Sequence, residues 1–115
     1  MAHTEWLTVP DFADRLGITA SAVRELLREG ALVSTRRGER NTVQLPADFI
    51  VEVDGTPELL GTLRGTLTVL RDAHLSDEAV LEWLLSDEPE LGCSPLAALR
   101  AGQRAPVRRI AQTLL

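Results

Sequence analysis

Apolar residues recur along this chain at two periods, and the change of period organises it. From Val9 to Leu27 the spacing is helical. Phe12, Ala13 and Leu16 share one face of a predicted helix over residues 9–16, and Val23, Leu26 and Leu27 form the inward stripe of a second over residues 20–29. The punctuation agrees. Thr8 stands as an N-cap before Pro10, Asp11 lies beside the positive helix end, and Gly17 supplies the positive φ that ends a helix. Ile18 plugs the turn, Thr19 caps the second helix and Gly30 stops it. Beyond Leu32 the pattern becomes extended: ALVSTRRGERNTVQLP has β-branched residues at 33, 35, 42 and 43 on either side of RRGERN. That predicts two short strands joined by a tight turn containing Gly38 and Asn41. The order is helix, turn, helix, hairpin.

Pro46 and the stretch VDGTP at 53–57 then interrupt the pattern, dividing the chain into a front domain (1–46), a connecting segment (47–61) and a helical domain (62–115). Helices are predicted over 62–73, 77–86, 95–101 and 105–114. Ser76 followed by Asp77 and Glu78 makes a strong helix start, and Ala105 and Pro106 open a last helix with Val107, Ile110, Ala111 and Leu114 on one face. Val80, Leu81, Leu84 and Leu85, with Trp83, supply a small core packed on the front half. The predicted fold class is mainly α with a small β-hairpin wing: a winged helix-turn-helix followed by a small helical C-terminal domain.

Composition narrows the function. The chain has 115 residues, 44% of them apolar, enough for one compact domain or a small module with a packed extension. Apolar runs are far shorter than the roughly 20 residues that span a bilayer, and MAHTEW carries no signal pattern, so a cytoplasmic, nucleoid-associated protein with no membrane partner is expected. Cys93 is the single cysteine, and His3 and His74 do not stand at metal-ligand spacing, so neither metal nor cofactor is expected. Cys93 lacks a basic partner and reads as an inert thiol. His74, after a predicted helix end, fits a capping role, and Gly38 and Gly55 form no phosphate loop. Asp77, Glu78, Asp87, Glu88 and Glu90 read as a solvated acidic surface. None of this makes an enzyme.

Net charge is −5, and all basic residues are arginine. Residues 1–46 hold six Arg against six acids, whereas 47–115 hold six against eleven, so the acidity belongs to the C-terminal part. On the second helix Ser21, Arg24 and Arg28 fall within about 60° of one another, opposite Val23, Leu26 and Leu27. One face packs and the other is free for a major groove, whose width admits a helix. Thr19 and Ser21 at the helix start suit phosphate or a base edge, Arg24 suits a guanine edge, and Arg28 suits backbone. Arg36, Arg37, Arg40 and Asn41 at the hairpin form a wing that reaches an adjacent groove or backbone. Glu25 and Glu29 border the helix face, to pair with the arginines or to repel phosphate. The competing reading is a protein-interaction module in which the acidic helical half does the work and the arginines are merely solvated.

The stretch LTVPDFADRLGITASAVRELLREGALVSTRRG resembles the winged helix-turn-helix of the MerR and excisionase type. With LRGTLTVLRDAHLSDEAVLEWLLSDEPEL and PVRRIAQ added, nearly the whole chain resembles a family of small actinobacterial winged-helix DNA-binding proteins typified by a mycobacterial Ser/Thr-kinase substrate. The resemblance implies transcription regulation through double-stranded DNA, with residues 19–29 as recognition helix and 33–44 as wing. It also implies control by a Ser/Thr kinase acting on an N-terminal tail; Thr4 and Thr8 are the phosphoacceptors nearest the start, and no site is assigned. EWLLSDEPELGCSPLAALRAGQRAPVRRIAQTLL is similar to the toxin-binding domain of Xre/MbcA/ParS-type antitoxins, through Trp83, Pro89, Leu91, Gly92, Pro95, Leu99 and Gly102. That similarity implies a helical surface for a second copy or another protein partner.

Overall fold

The computed structural model describes residues 4–115; the first three residues, His3 among them, lie outside the described residues. Strand β1 (Trp6–Thr8) runs straight into α1 (Val9–Leu16), followed by α2 (Ala20–Arg28), β2 (Thr35–Arg37) and β3 (Thr42–Pro46). A 3-10 turn (Ala47–Phe49) leads to β4 (Ile50–Val53) and β5 (Thr56–Leu59). Helices α3 (Leu63–Asp72), α4 (Asp77–Leu85), α5 (Pro95–Arg100) and α6 (Arg104–Gln112) complete the chain.

The helices start where capping chemistry places them. Thr8, Thr19, Ser76 and Ser94 each accept through the side-chain oxygen from a backbone N–H three residues on, at 3.1–3.3 Å. Gly17 ends α1 at φ +80, its N–H donating to the Ala13 carbonyl at 2.8 Å. The N-cap role of Thr8 also ties its hydroxyl to the first turn of α1.

Two features are additional to the helix-turn-helix-hairpin expected from the pattern. The wing hairpin is the outer part of an antiparallel sheet of order β1-β3-β2, in which Leu7 lies opposite Leu45, both buried. Residues 47–61 are folded too: β4 and β5 form a hairpin around Asp54 (φ +52) and Gly55 (φ +79), the pair of left-handed residues that a two-residue type I′ turn requires. Phe49 and Leu60, joined by a 2.9 Å backbone hydrogen bond, bury the base of this segment.

A continuous core runs from Leu7, Phe12, Val23, Leu45 and Phe49 to Leu67, Leu70, Val80, Leu84, Leu99 and Val107. Arg100, in the last turn of α5, ties the halves further by donating to the carbonyls of Asp48 (2.8 Å) and Ile50 (2.7 Å). Three expectations of burial are corrected. Leu26 and Leu27 are only partly buried, because the C-terminal end of α2 lies beside open clefts. Trp83 and Leu85 pack at the edge of the core, and Ile110 is only partly buried. Leu114 lies past the end of α6, which stops at Gln112, and is 42% exposed.

Candidate nucleic-acid interface

α2 presents its polar residues as the sequence orders them. Val23 is fully buried against α1, while Ser21, Arg24 and Arg28 are exposed on the opposite side. Thr19 is exposed at the helix start, its oxygen accepting the Ala22 N–H at 3.1 Å, which leaves its O–H to donate. The two arginines differ in their surroundings. Arg28 is ion-paired with Glu25 on the same helix, whereas Arg24 makes no ion pair among the described residues. Glu29 turns away from both and meets Arg64 of α3 at 3.6 Å.

The wing arginines do not act as one cluster. Arg36 lies opposite Val43 in the β2–β3 register, and strand alternation sends the neighbouring Arg37 to the other face. There its guanidinium stacks on the Trp6 ring at 4.2 Å from the centroid, a cation–π contact supplied by β1. Arg36 donates to the Asn41 carbonyl at 3.1 Å and so braces the turn. Asn41 takes the left-handed conformation (φ +53), and its N–H closes the turn on the Gly38 carbonyl at 3.0 Å. Arg40 is exposed in the turn itself, with Glu39 beside it.

Helix and wing meet across a cleft of about 590 Å³ lined by Thr8, Val9, Pro10, Arg24, Leu27, Arg28, Ser34, Thr42 and Val43. Its floor is apolar, from Val9, Pro10, Leu27 and Val43, and its rim carries two guanidinium groups and three hydroxyls. The structure thus brings Arg24 and Arg28 together with Thr42 and Val43 of β3, whereas Arg36, Arg37, Arg40 and Asn41 do not line the cleft. Thr8, Ser34 and Thr42 are rim residues that sequence reasoning missed. Hydroxyls at strand ends give no periodic signal, and Thr8 is explained in sequence by its cap alone. In the C-terminal half Glu90 and Leu91, within the acidic stretch, line a separate cleft of about 430 Å³ with Pro106, Arg109, Ile110 and Thr113.

Among the described residues no group of three or more His, Cys, Asp or Glu side chains is placed to hold a metal ion, and no helix is long and apolar enough to cross a membrane.

Comparisons with known proteins match two successive stretches of the chain. Residues 1–50 match the family described as DNA-binding protein Rv2175c, wHTH domain, and residues 60–114 match the Rv2175c C-terminal domain of unknown function. The DNA-binding protein Rv2175c of Mycobacterium tuberculosis is 31% identical over 118 residues, covering 92% of this chain and 77% of that protein. The NMR structure of Rv2175c superposes with a TM-score of 0.82 at 30% identity, covering 99% of this chain and 83% of that one. On sequence and fold together, the chain belongs to the Rv2175c family, with its winged helix-turn-helix domain followed by its C-terminal domain.

Proposed function

We propose that this protein regulates transcription by binding double-stranded DNA, with α2 in the major groove and the wing on the adjacent backbone or minor groove. The observation that carries this reading is the exposed face of Ser21, Arg24 and Arg28, whose two arginines line a cleft shared with Thr42 and Val43 of the wing. Arg24 is the base-reading side chain, since it has no ion pair to break among the described residues and a planar fork suited to a guanine edge. Thr19 and Ser21 hold phosphate at the start of α2, and Arg28, once released from Glu25, holds backbone. Arg36, Arg40 and Asn41 serve the wing, while Arg37 keeps Trp6 and the sheet in place. With about four phosphate contacts, log K falls with log salt at a slope of roughly −3 to −4, so a single copy binds moderately.

The test is a fluorescence-anisotropy titration of duplex DNA at two salt concentrations with an unrelated duplex as competitor. Arg24→Ala combined with Arg40→Ala is expected to weaken binding more than about tenfold while the far-ultraviolet circular dichroism stays unchanged. Arg37→Ala is expected to act less on binding than on sheet stability. Wild-type affinity in the Arg24/Arg40 double variant overturns the proposed surface.

A further inference from the structure

Recognition helix and wing are joined by residues 29–34, a link with no helix or strand of its own. The course of that link sets the spacing between the two DNA-facing elements. α2 closes its own end: the Ala31 N–H donates to the Leu26 carbonyl at 2.9 Å and the Gly30 N–H to the Leu27 carbonyl at 3.2 Å, around Gly30 at φ +82. The carbonyls of Gly30 and Leu32 are taken up from the other half of the chain. Arg71, in the last turn of α3, donates from Nη1 to the Gly30 carbonyl at 2.7 Å and from Nη2 to the Leu32 carbonyl at 3.2 Å.

A single planar guanidinium therefore spans the link. Asp77 at the start of α4 faces it at 4.0 Å, and α3 is anchored by Leu63, Leu67 and Leu70 in the core. Two turns earlier on the same face of α3, Arg64 meets Glu29. A Cβ on Gly30 would sit 2.8 Å from Arg71 Nη1, so this glycine answers both a positive φ and a close approach.

We propose that Arg71 is a specificity-positioning residue: from the C-terminal half it fixes the separation of recognition helix and wing, so that discrimination between DNA sequences depends on a side chain that touches no DNA. The inference rests on the helix-and-wing reading above. Base-edge hydrogen bonds demand accurate placement, whereas long exposed arginines follow phosphates through small displacements. Loosening the link strikes sequence preference before it strikes overall affinity. Arginine suits the position because its fork reaches two carbonyls in fixed geometry, which an ammonium on a flexible stem does not reproduce.

The experiment uses the full chain. A duplex enriched from a random pool by the wild type, and an unrelated duplex of equal length, are titrated with wild type, Arg71→Ala, Arg71→Lys and Arg24→Ala. Both Arg71 variants are expected to lose about tenfold or more of the enriched-to-unrelated affinity ratio. They are also expected to keep the unrelated-duplex affinity and its salt slope, and to exchange backbone amides faster at residues 31–35. An unchanged ratio in both variants overturns the proposal, as does a salt slope reduced by about one, which makes Arg71 a phosphate contact. Full repair by Arg71→Lys also overturns it, because charge alone then suffices. A wild type that enriches no sequence removes the specificity Arg71 is proposed to set. Arg24→Ala keeps the two failures apart: wild-type affinity in that variant sinks the helix reading, whereas loss there with none in the Arg71 variants sinks the positioning role alone.

Discussion

Arg24 and Arg28 stand one turn apart on α2 with the same chemistry, yet under the proposed reading they would meet DNA from different starting states. Arg28 must first leave Glu25, and Glu25 itself repels phosphate. Glu25→Gln removes both obstacles, so duplex affinity is expected to rise about three- to tenfold at low salt and to converge on wild type as salt increases, read by anisotropy. Glu5 shows the opposite use of an arginine. Arg15 donates to both its carboxylate oxygens at 3.1 Å, and that hydrogen bonding, with the guanidinium charge second, holds Glu5 below its ordinary carboxylate range. Because the folded-state value is lowered, the pair stabilises the fold above the ordinary range, and the contribution is lost as pH falls through the lowered value. Both partners are exposed, so salt screens the effect. Glu5→Gln is therefore expected to lower the urea midpoint slightly at neutral pH and low salt and to match wild type in acid; a difference that persists in acid overturns the assignment.

At the scale of elements, helix ends decide what the interface can present. Thr19 caps α2, and Thr19→Ala is expected to cost about 1 kcal/mol in urea unfolding, with fraying at the end that carries Ser21. α1 and α2 were legible because caps, apolar stripes and stop glycines coincide, and Ser21, Arg24 and Arg28 were legible as the face those stripes leave free. β1 was not: its three residues contain one inward side chain, Leu7, and its partner β3 lies far along the chain. Missing β1 also hid the Trp6–Arg37 stack, so three wing arginines looked equivalent when strand alternation and that stack separate them. The β4–β5 hairpin announced itself only through Asp54 and Gly55. Its strands are mostly exposed and include Pro57, which fits an edge position but weakens any strand pattern.

At the scale of the whole molecule, the apolar pattern marked two groups of elements but not how they join, because the joining contacts are polar and distant in sequence. Arg71 reaches the carbonyls of Gly30 and Leu32, and Arg100 those of Asp48 and Ile50; no local pattern announces either. With the core also continuous across both halves, the chain is expected to unfold as one cooperative unit. The two tryptophans make this measurable, since Trp6 sits on β1 in the front half and Trp83 on α4 in the back half. Trp83→Phe leaves fluorescence to report the first, and Trp6→Phe the second. Each should give one urea transition, and within each background a fully buried Leu67→Ala in α3 should lower stability by about 2–5 kcal/mol and shift the front-half and back-half reporters together. Trp6 is a cation–π partner of Arg37, so its own removal lowers the midpoint, and the comparison is made on the shift caused by Leu67→Ala. A Leu67→Ala shift seen by Trp83 and absent from Trp6 would mean that the winged domain stands without its C-terminal neighbour. In that case α3 could not hold the link between recognition helix and wing.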